Sequence, residues 1–199
     1  KDLGVPKPNH FLDSAGDTAA QTIANVISGV DALLDKVKPD AVLLYGDTNS
    51  CLAVISAKRK KIPIFHMEAG NRCFDFMVNE ETNRALVDCI ADYNLPYSEN
   101  SRTYLLHQGI HPSTVFVTGT PLAEVYDYFK DKIEKSDVLK KFKLRPQKYF
   151  VVSTHRGENV DNPERLKELF ESFNFIAEQY KLPIIVTLHP RTKKRLNIV

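Results

Sequence analysis

The apolar positions of this chain alternate between a helical spacing of three and four residues and short continuous runs typical of buried strands. A helix is predicted from Asp17, a good N-cap residue, to about Val37. Its apolar face would be formed by Ala20, Ile23, Ile27, Val30 and Leu34. The runs AVLLY at 41–45 and IPIFHM at 62–67 predict buried strands, with a helix between them that ends near Lys60. This order is one βαβ unit, and it predicts an α/β fold with parallel strands.

The alternation of helices and strands continues along the rest of the chain. After an irregular segment at 70–79, helices are predicted at Glu80–Ala91 with Asn79 as N-cap, around Arg102–His107, at Leu122–Phe129, at 131–142 and at Pro163–Tyr180. Further strands are predicted at 93–98, 114–119, 149–155 and 183–189. We place a domain boundary near Gln147, between the charged helix and the strand that opens the next unit.

Composition and charge exclude several classes of function. Lys and Arg together number 27 and Asp and Glu 25, so the net charge of +2 disfavours a nucleic-acid partner. The three cysteines show no CxxC spacing, which disfavours a disulfide framework or a zinc site and favours a reducing cytoplasm. No apolar run approaches the roughly 18 to 20 residues that span a bilayer, so we expect neither a membrane span nor a membrane partner.

Titratable side chains lie at the exits of three of the predicted strands. Asp47 comes after AVLLY, Glu68 after IPIFHM and His155 after YFVVST. Ligands of parallel α/β sheets bind at the carboxyl ends of the strands, so these residues are candidates for a site. Asp47 alone could equally be a helix cap or a loop anchor. Glu68 lies between Met67 and small residues, where an ionised carboxylate needs a partner or a ligand to offset its desolvation.

Paired glutamates begin the helix predicted at 80–91. Helix-end electrostatics alone would explain both, because the macrodipole stabilises a carboxylate there by about 0.3–1 kcal/mol. Helix geometry points Glu80 and Glu81 roughly 100° apart. One of them could therefore face the sheet edge while the other caps the helix or pairs with Arg84, and only one need be catalytic.

The remaining candidates are histidines and an arginine. His155 is suited to proton transfer or to a hydrogen bond with phosphate, and Arg156 offers a bidentate phosphate fork. His66, inside a predicted strand, is interpreted as structural. The chain lacks a GxGxxG fingerprint, a GxxxxGK[ST] loop and a GxSxG elbow, which disfavours NAD-dependent oxidation, P-loop phosphoryl transfer and an α/β-hydrolase site.

Four motifs in order, GDT at 46–48, HMEAGNR at 66–72, EETNR at 80–84 and THRGEN at 154–159, resemble the UDP-N-acetylglucosamine 2-epimerase family. The resemblance implies two Rossmann-like parallel-sheet domains that face a cleft, as in GT-B glycosyltransferases. Residues 1–147 would be the later part of the N-terminal domain, and 148–199 the beginning of the C-terminal nucleotide-binding domain. Both domains would be incomplete, and we interpret the chain as a fragment that does not turn over by itself.

Matched position by position, the resemblance implies a set of site residues. The catalytic residues would be Asp47, Glu68, Glu80 and His155, with His155 against the phosphates of the nucleotide. The substrate-binding residues would be Arg72, Arg84 and Arg156. Asn79 replaces a proline that many members carry, and NRCFD at 71–75 replaces an LRTGD-like stretch. The second departure resembles the subgroup that acts on UDP-2-acetamido-2,6-dideoxy-L-talose.

The resemblance also implies a reaction, epimerisation at C2 by elimination of UDP to a glycal and re-addition, in the synthesis of cell-surface polysaccharide precursors. This course needs a UDP-sugar substrate and neither NAD nor a metal ion. The protein would be cytoplasmic, and a homodimer is compatible with the family. Two alternatives stay open, a GT-B type UDP-sugar glycosyltransferase and a non-catalytic UDP-sugar sensor. A transferase needs one base near its acceptor, whereas an epimerase needs carboxylates on both faces of C2.

Overall fold

The chain divides into two compact units, Lys1–Val125 and Tyr126–Val199, in a computed structural model that describes residues 4–155 and 157–196. Parallel strands form a sheet in each unit, so the predicted α/β class is confirmed. The division falls earlier in the chain than the boundary predicted near Gln147, which stays a prediction. Within the described ranges, no helix is long and apolar enough to cross a membrane.

The first unit is built on three parallel strands in the order β1-β2-β3. Its elements are α1 (Ala19–Val37), β1 (Val42–Tyr45), α2 (Val54–Arg59), β2 (Ile64–Met67), α3 (Asn79–Ile90), β3 (Tyr93–Leu95), α4 (Glu99–His107) and the start of α5 (Leu122–Glu134). The register pairs Leu44 with His66 and His66 with Asn94. The three strands therefore end at one edge, which the following loops and helix starts surround.

The core of the first unit lies between the sheet and the helices α1, α2 and α3. Val54, Ile64 and Val87 are fully buried, and Leu34 and Leu52 pack with them. Burying side chains of this size contributes about 1.5–3 kcal/mol each. The apolar positions that predict α1 and β1 thus fix the backbone on which the sheet edge is built.

The second unit contains two parallel strands, β4 (Phe150–Thr154) and β5 (Ile184–Leu188), in register from Phe150 with Ile184. The described helices of this unit are the larger part of α5, from Tyr126 onward, and α6 (Val138–Lys141), α7 (Gly157–Val160), α8 (Pro163–Tyr180) and α9 (Pro190–Leu196). Asn162 caps α8 by accepting hydrogen bonds from two backbone N–H groups, and Pro163 follows at the first helical position as predicted.

Two predicted helix caps are wrong. Thr18, not Asp17, caps α1, because its side-chain oxygen accepts the N–H of Gln21. Both residues favour N-cap positions, so the sequence does not separate two neighbours. Asn79 is the first residue of α3, and Val78 precedes it without a side-chain cap.

The predicted strand at 114–119 is reduced to an isolated bridge between Asn94 and Val115. Phe116 and Thr118 donate to the carbonyls of Asn94 and Pro96. A regular ladder does not form, because Pro96 has no N–H to donate in return. The predicted helix at 131–142 is likewise split, since α5 ends at Glu134 and α6 is a separate short helix.

Candidate active site

The carboxyl edge of the first sheet gathers polar residues from all three strand exits. Asp47 follows β1, Glu68 follows β2 and Tyr97 lies two residues beyond β3. Arg84 and Glu81 reach the same edge from the first turns of α3. This is where parallel α/β sheets bind their ligands.

The backbone at this edge adopts conformations that most residues avoid. Glu68 has a left-handed φ of 67°, which costs a non-glycine residue about 1–3 kcal/mol and is typical of functional sites. Gly70 has φ of 75°, and a Cβ there would lie 2.4 Å from the carbonyl oxygen of Ser101, so only glycine fits. A Cβ on Gly46 would lie 3.4 Å from a carboxylate oxygen of Glu68. The Glu68 carboxylate therefore lies against the exit of β1.

Arg84 joins the exits of β1 and β2 to α3. Its Nε donates to Oδ2 of Asp47 at 3.0 Å, and its Nη2 donates to the same oxygen. Its Nη1 donates to the carbonyl of Asn71 at 3.0 Å and to Oε2 of Glu81 at 2.7 Å. Asn83 adds a hydrogen bond from Nδ2 to the carbonyl of Asp47 at 3.0 Å. The Asp47 side chain and backbone are thus both held by α3.

The two neighbouring glutamates of α3 have different surroundings, as helix geometry predicts. Glu81 is 1% exposed and accepts hydrogen bonds from the backbone N–H groups of Cys73 and Phe74, at 3.1 and 3.2 Å. Burial alone would raise its pKa, but hydrogen bonds from Cys73 and Phe74, with Arg84 beside it, hold the pKa of Glu81 below its usual range. Glu80 is exposed. The member that pairs with Arg84 is therefore Glu81, and Glu80 is the one left accessible.

Glu68 is the carboxylate at this edge with a raised proton affinity. Burial and the nearby Asp47 carboxylate raise the pKa of Glu68, and the positive charges of Arg84 and His66 oppose them in part. Asn71 donates to its Oε1 at 3.5 Å. A carboxyl group whose pKa moves toward neutrality is suited to accepting and returning a proton.

Tyr97 was missed by the sequence reasoning. Its hydroxyl is buried and makes no hydrogen bond of regular geometry among the described residues, although the Tyr45 side chain lies near it. Burial, followed by the proximity of Tyr45 and Glu68, raises the pKa of Tyr97 above its usual value. The strand predicted at 93–98 placed Tyr97 inside a strand, whereas β3 ends at Leu95 and leaves Tyr97 at the strand exit.

Arg72 and His66 lie in the interior beside Asp88, another residue missed by the sequence reasoning. The guanidinium of Arg72 is 2% exposed, and Nη2 lies 2.7 Å from Oδ2 of Asp88. His66, predicted to be structural, is fully buried between Asp88 and the Gly46 carbonyl. A contact between Arg72 and the substrate stays a prediction.

The second unit contains the remaining predicted site residues. His155 follows β4 and His189 follows β5, and their rings stack with centroids 5.1 Å apart. Arg156, predicted to bind phosphate, lies outside the described residues. Among residues 4–155 and 157–196, no cluster of three or more His, Cys, Asp and Glu side chains could hold a metal ion.

Comparison with known proteins gives one consistent family. The family model described as UDP-N-acetylglucosamine 2-epimerase matches residues 1–199. A UDP-N-acetylglucosamine 2-epimerase of Methanocaldococcus jannaschii is 36% identical over 200 residues, covering 98% of this chain and 55% of that protein. A UDP-2,3-diacetamido-2,3-dideoxy-D-glucuronate 2-epimerase of Pseudomonas aeruginosa is 33% identical, covering 96% of this chain and 53% of that protein.

Solved structures give the same result. A UDP-N-acetylglucosamine 2-epimerase structure from Rickettsia bellii has a TM-score of 0.90 and 50% identity, covering 100% of this chain and 52% of that one. The M. jannaschii enzyme, in complex with UDP-GlcNAc and UDP, has a TM-score of 0.88 and 35% identity, covering 99% of this chain and 55% of that one. This chain thus spans about half the length of the relatives it matches. The structural matches confirm the predicted GT-B-like fold class, with Rossmann-like parallel-sheet domains.

Proposed function

This chain belongs to the UDP-N-acetylglucosamine 2-epimerase family, and we propose that the protein containing it inverts C2 of a UDP-linked 2-acetamido sugar. The observation that carries the proposal is the pair of carboxylates at the first sheet edge, Glu68 with its raised pKa beside Asp47 held by Arg84. Exposed Glu80, in the first turn of α3, supplies a third carboxylate. A binding protein has little use for this combination.

The reaction we propose is elimination followed by re-addition. The C1–O bond to UDP breaks and its electron pair leaves with UDP, which gives C1 oxocarbenium character and acidifies the proton on C2. A carboxylate takes that proton, and the C2–H electron pair forms the C1–C2 double bond of a glycal. Protonation of C2 on the opposite face and return of UDP to C1 give the epimer. No redox step is needed, so the atoms and electrons balance within the substrate and two acid–base groups.

We assign Glu68 to proton transfer at C2, because its environment moves its pKa toward neutrality. Glu80 is the candidate for the opposite face. Asp47, fixed by Arg84 through charged hydrogen bonds, would face the developing positive charge at C1. His155 is proposed to stabilise the departing diphosphate, and Arg156 to assist it.

The identity of the sugar is less constrained by the sequence and the relatives than the reaction at C2. The relative from M. jannaschii is named for UDP-N-acetylglucosamine, and the one from P. aeruginosa for a diacetamido glucuronate. The NRCFD segment at 71–75 favours UDP-2-acetamido-2,6-dideoxy-L-talose for this chain, with a role in cell-surface polysaccharide precursors. The loop that carries this segment is held by Glu81 at Cys73 and Phe74, close to the proposed reacting groups.

Proton NMR in D2O tests the function on the full-length gene product that contains these residues. The enzyme is offered UDP-N-acetylglucosamine and the 6-deoxy-L-talo nucleotide separately. Deuterium at C2 of product and of recovered substrate, with traces of glycal and UDP, is the expected result, and the faster substrate identifies the sugar. Binding of UDP without exchange at C2 for either sugar would refute the proposal and favour a transferase or a sensor.

A further inference from the structure

A buried charged cluster lies next to the proposed reacting groups and has no part in the chemistry described so far. It consists of His66, Arg72 and Asp88, whose side chains are 0%, 2% and 1% exposed. Buried charges are costly unless they are paired and hydrogen-bonded. Their positions therefore need an explanation beyond packing.

The hydrogen bonds of His66 fix how many protons the cluster holds. Its Nε2 lies 2.8 Å from the carbonyl oxygen of Gly46, which can only accept, so Nε2 carries a proton. Its Nδ1 lies 2.8 Å from Oδ1 of Asp88. Two lone pairs cannot face each other at that distance, so a second proton lies between Nδ1 and the carboxylate. The pair is either imidazolium with carboxylate or neutral imidazole with carboxylic acid.

The neighbours of Asp88 decide between these two states. Nη2 of Arg72 lies 2.7 Å from Oδ2 in an ion pair, and the N–H of Gly70 lies 3.3 and 3.2 Å from the two oxygens. One partner is therefore a cation and the other is a hydrogen-bond donor. In a low-dielectric interior they favour the anionic carboxylate, so the shared proton belongs to His66. These contacts favour the imidazolium form of the ring.

The same cluster holds the backbone on both sides of the site. His66 binds the carbonyl of Gly46, the residue before Asp47, and Asp88 binds the N–H of Gly70, two residues after Glu68. We propose that the buried His66 imidazolium and Asp88 are positioning residues that align the Asp47 and Glu68 turns for C2 inversion. This inference rests on the proposed function for its catalytic part only.

The charged groups around the pair support a second effect. Arg72 comes from the loop after β2, Asp88 from α3, and Glu68 follows His66 by two residues on the chain. The positive charge of His66 opposes the burial that raises the pKa of Glu68. The imidazolium therefore lowers the proton affinity of Glu68 in addition to holding its turn, although burial, Asp47 and Arg84 have larger effects on that affinity.

The first test measures protonation without any substrate. Ring nitrogen chemical shifts of His66 are recorded by 15N NMR on the full-length protein at neutral pH. The spectrum of His66→Gln assigns the signal. Both nitrogens are expected to be protonated, since one faces the Gly46 carbonyl and the other the Asp88 carboxylate. One protonated and one unprotonated ring nitrogen in the wild type would overturn the imidazolium.

The second test compares two aspartates that each accept a backbone N–H of the first unit. Asp88→Asn removes the carboxylate that binds Gly70, and Asp92→Asn is the matched control, because Asp92 accepts the N–H of Ile64 at 3.0 Å at the opposite end of β2. We expect Asp88→Asn to neutralise the His66 ring and to lower kcat for C2 exchange about 100-fold with little change in KM. Asp92→Asn should keep the wild-type ring signal and kcat.

A third measurement, the 13C titration of the Glu68 carboxyl, needs neither activity nor a stable Asp88 variant. Its midpoint should rise in His66→Gln, because the opposing charge is lost. An unchanged midpoint would overturn the effect of His66 on the proton affinity of Glu68. A wild-type kcat in Asp88→Asn with a neutral ring would overturn the positioning role. The ring could be an imidazolium and the Glu68 midpoint could rise while no UDP-sugar exchanges its C2 proton. That result would refute the proposed function but support the protonation state inferred for the charged cluster.

Discussion

The two ends of strand β2 are held by the same kind of contact in very different surroundings. At the amino end, Asp92 accepts the N–H of Ile64 and an ion pair from Lys58, and the side chains of the pair are 36% and 47% exposed. At the carboxyl end, Asp88 accepts the N–H of Gly70 within a cluster no more than 2% exposed. An aspartate that accepts a backbone N–H is therefore not by itself a sign of a site. The distinguishing feature is that the aspartate and its ionic partners are buried.

The backbone at the two ends differs in how many positions are left-handed. The carboxyl end has Glu68 in a left-handed conformation beside two glycines with positive φ. At the amino end, Lys61 is left-handed, but Ile64 itself belongs to the regular ladder of β2 with β1. Of the two ends, the carboxyl end is the one that combines left-handed backbone with desolvated charges, which is the pattern expected of a reacting site.

The largest effect is expected at Glu68. Glu68→Gln should lower C2 exchange by at least about 10³-fold, within the range that general acid–base groups contribute. The midpoint of thermal unfolding should stay or rise at neutral pH, because the folded state no longer holds a carboxylate with a raised pKa. Asp92→Asn, at the other end of β2, serves as control for both measurements. Exchange above a tenth of the wild-type rate would remove Glu68 from the mechanism.

The adjacent glutamates of α3 offer a matched pair of substitutions. Glu81→Gln should lower the free energy of unfolding by about 3 kcal/mol, because it breaks a buried ion pair with Arg84 and weakens the bonds to Cys73 and Phe74. Glu80→Gln should change stability by less than about 0.5 kcal/mol, since Glu80 is exposed. Urea unfolding and C2 exchange are measured on both variants. A larger loss of unfolding free energy in Glu80→Gln than in Glu81→Gln would contradict this division of roles.

The pH dependence of stability should separate Glu81 from Glu68. The folded pKa of Glu81 lies below its ordinary 4.5, so its contribution is present above that pH and is lost as the pH falls through the folded value. The folded pKa of Glu68 lies above 4.5, so its contribution is present below that pH and is lost as the pH rises. The loss of unfolding free energy in Glu81→Gln, relative to wild type, should therefore shrink as the pH falls. The unfolding free energy of Glu68→Gln, relative to wild type, should increase as the pH rises toward neutrality. The difference in unfolding free energy between each variant and wild type is measured from about pH 3.5 to 8. Equal slopes of this difference against pH for the two variants would contradict both assignments.

The smallest effect is expected at the amino end. Lys58→Met removes one partner of an exposed ion pair, which contributes about 0–1 kcal/mol, and leaves Asp92 bonded to Ile64. C2 exchange should be unchanged. A loss of more than about 2 kcal/mol in the free energy of unfolding, measured in urea, would show that the exposed ion pair at the amino end is not weak. The energetic contrast between the two ends of β2 would then be wrong.

The features that sequence reasoning identified depend on local pattern. The strands β1, β2, β4 and β5 follow from apolar runs, and the divergence of Glu80 and Glu81 follows from helix geometry. The exact cap of α1 did not follow, because Asp17 and Thr18 are both good caps and one hydrogen bond decides between them.

Asp88 and Tyr97 were missed for a different physical reason. On the chain Asp88 is one more polar residue in a helix, and its carboxylate meets His66 across 22 positions only when α3 packs on β2. The hydroxyl of Tyr97 gains its significance from Tyr45 and Glu68, which lie on other strand exits. Roles created by tertiary contacts leave no periodic signal in a single sequence.

The left-handed backbone at position 68 has an evolutionary consequence. Glycine would relieve that conformation and remove a desolvated carboxylate at once, so folding alone selects against glutamate there. If Glu68 acts in the proposed reaction, the residue persists only while that reaction is under selection. In a lineage that has lost the activity, position 68 should be among the first to change, and glycine or asparagine found there would mark a descendant that keeps the fold without the chemistry.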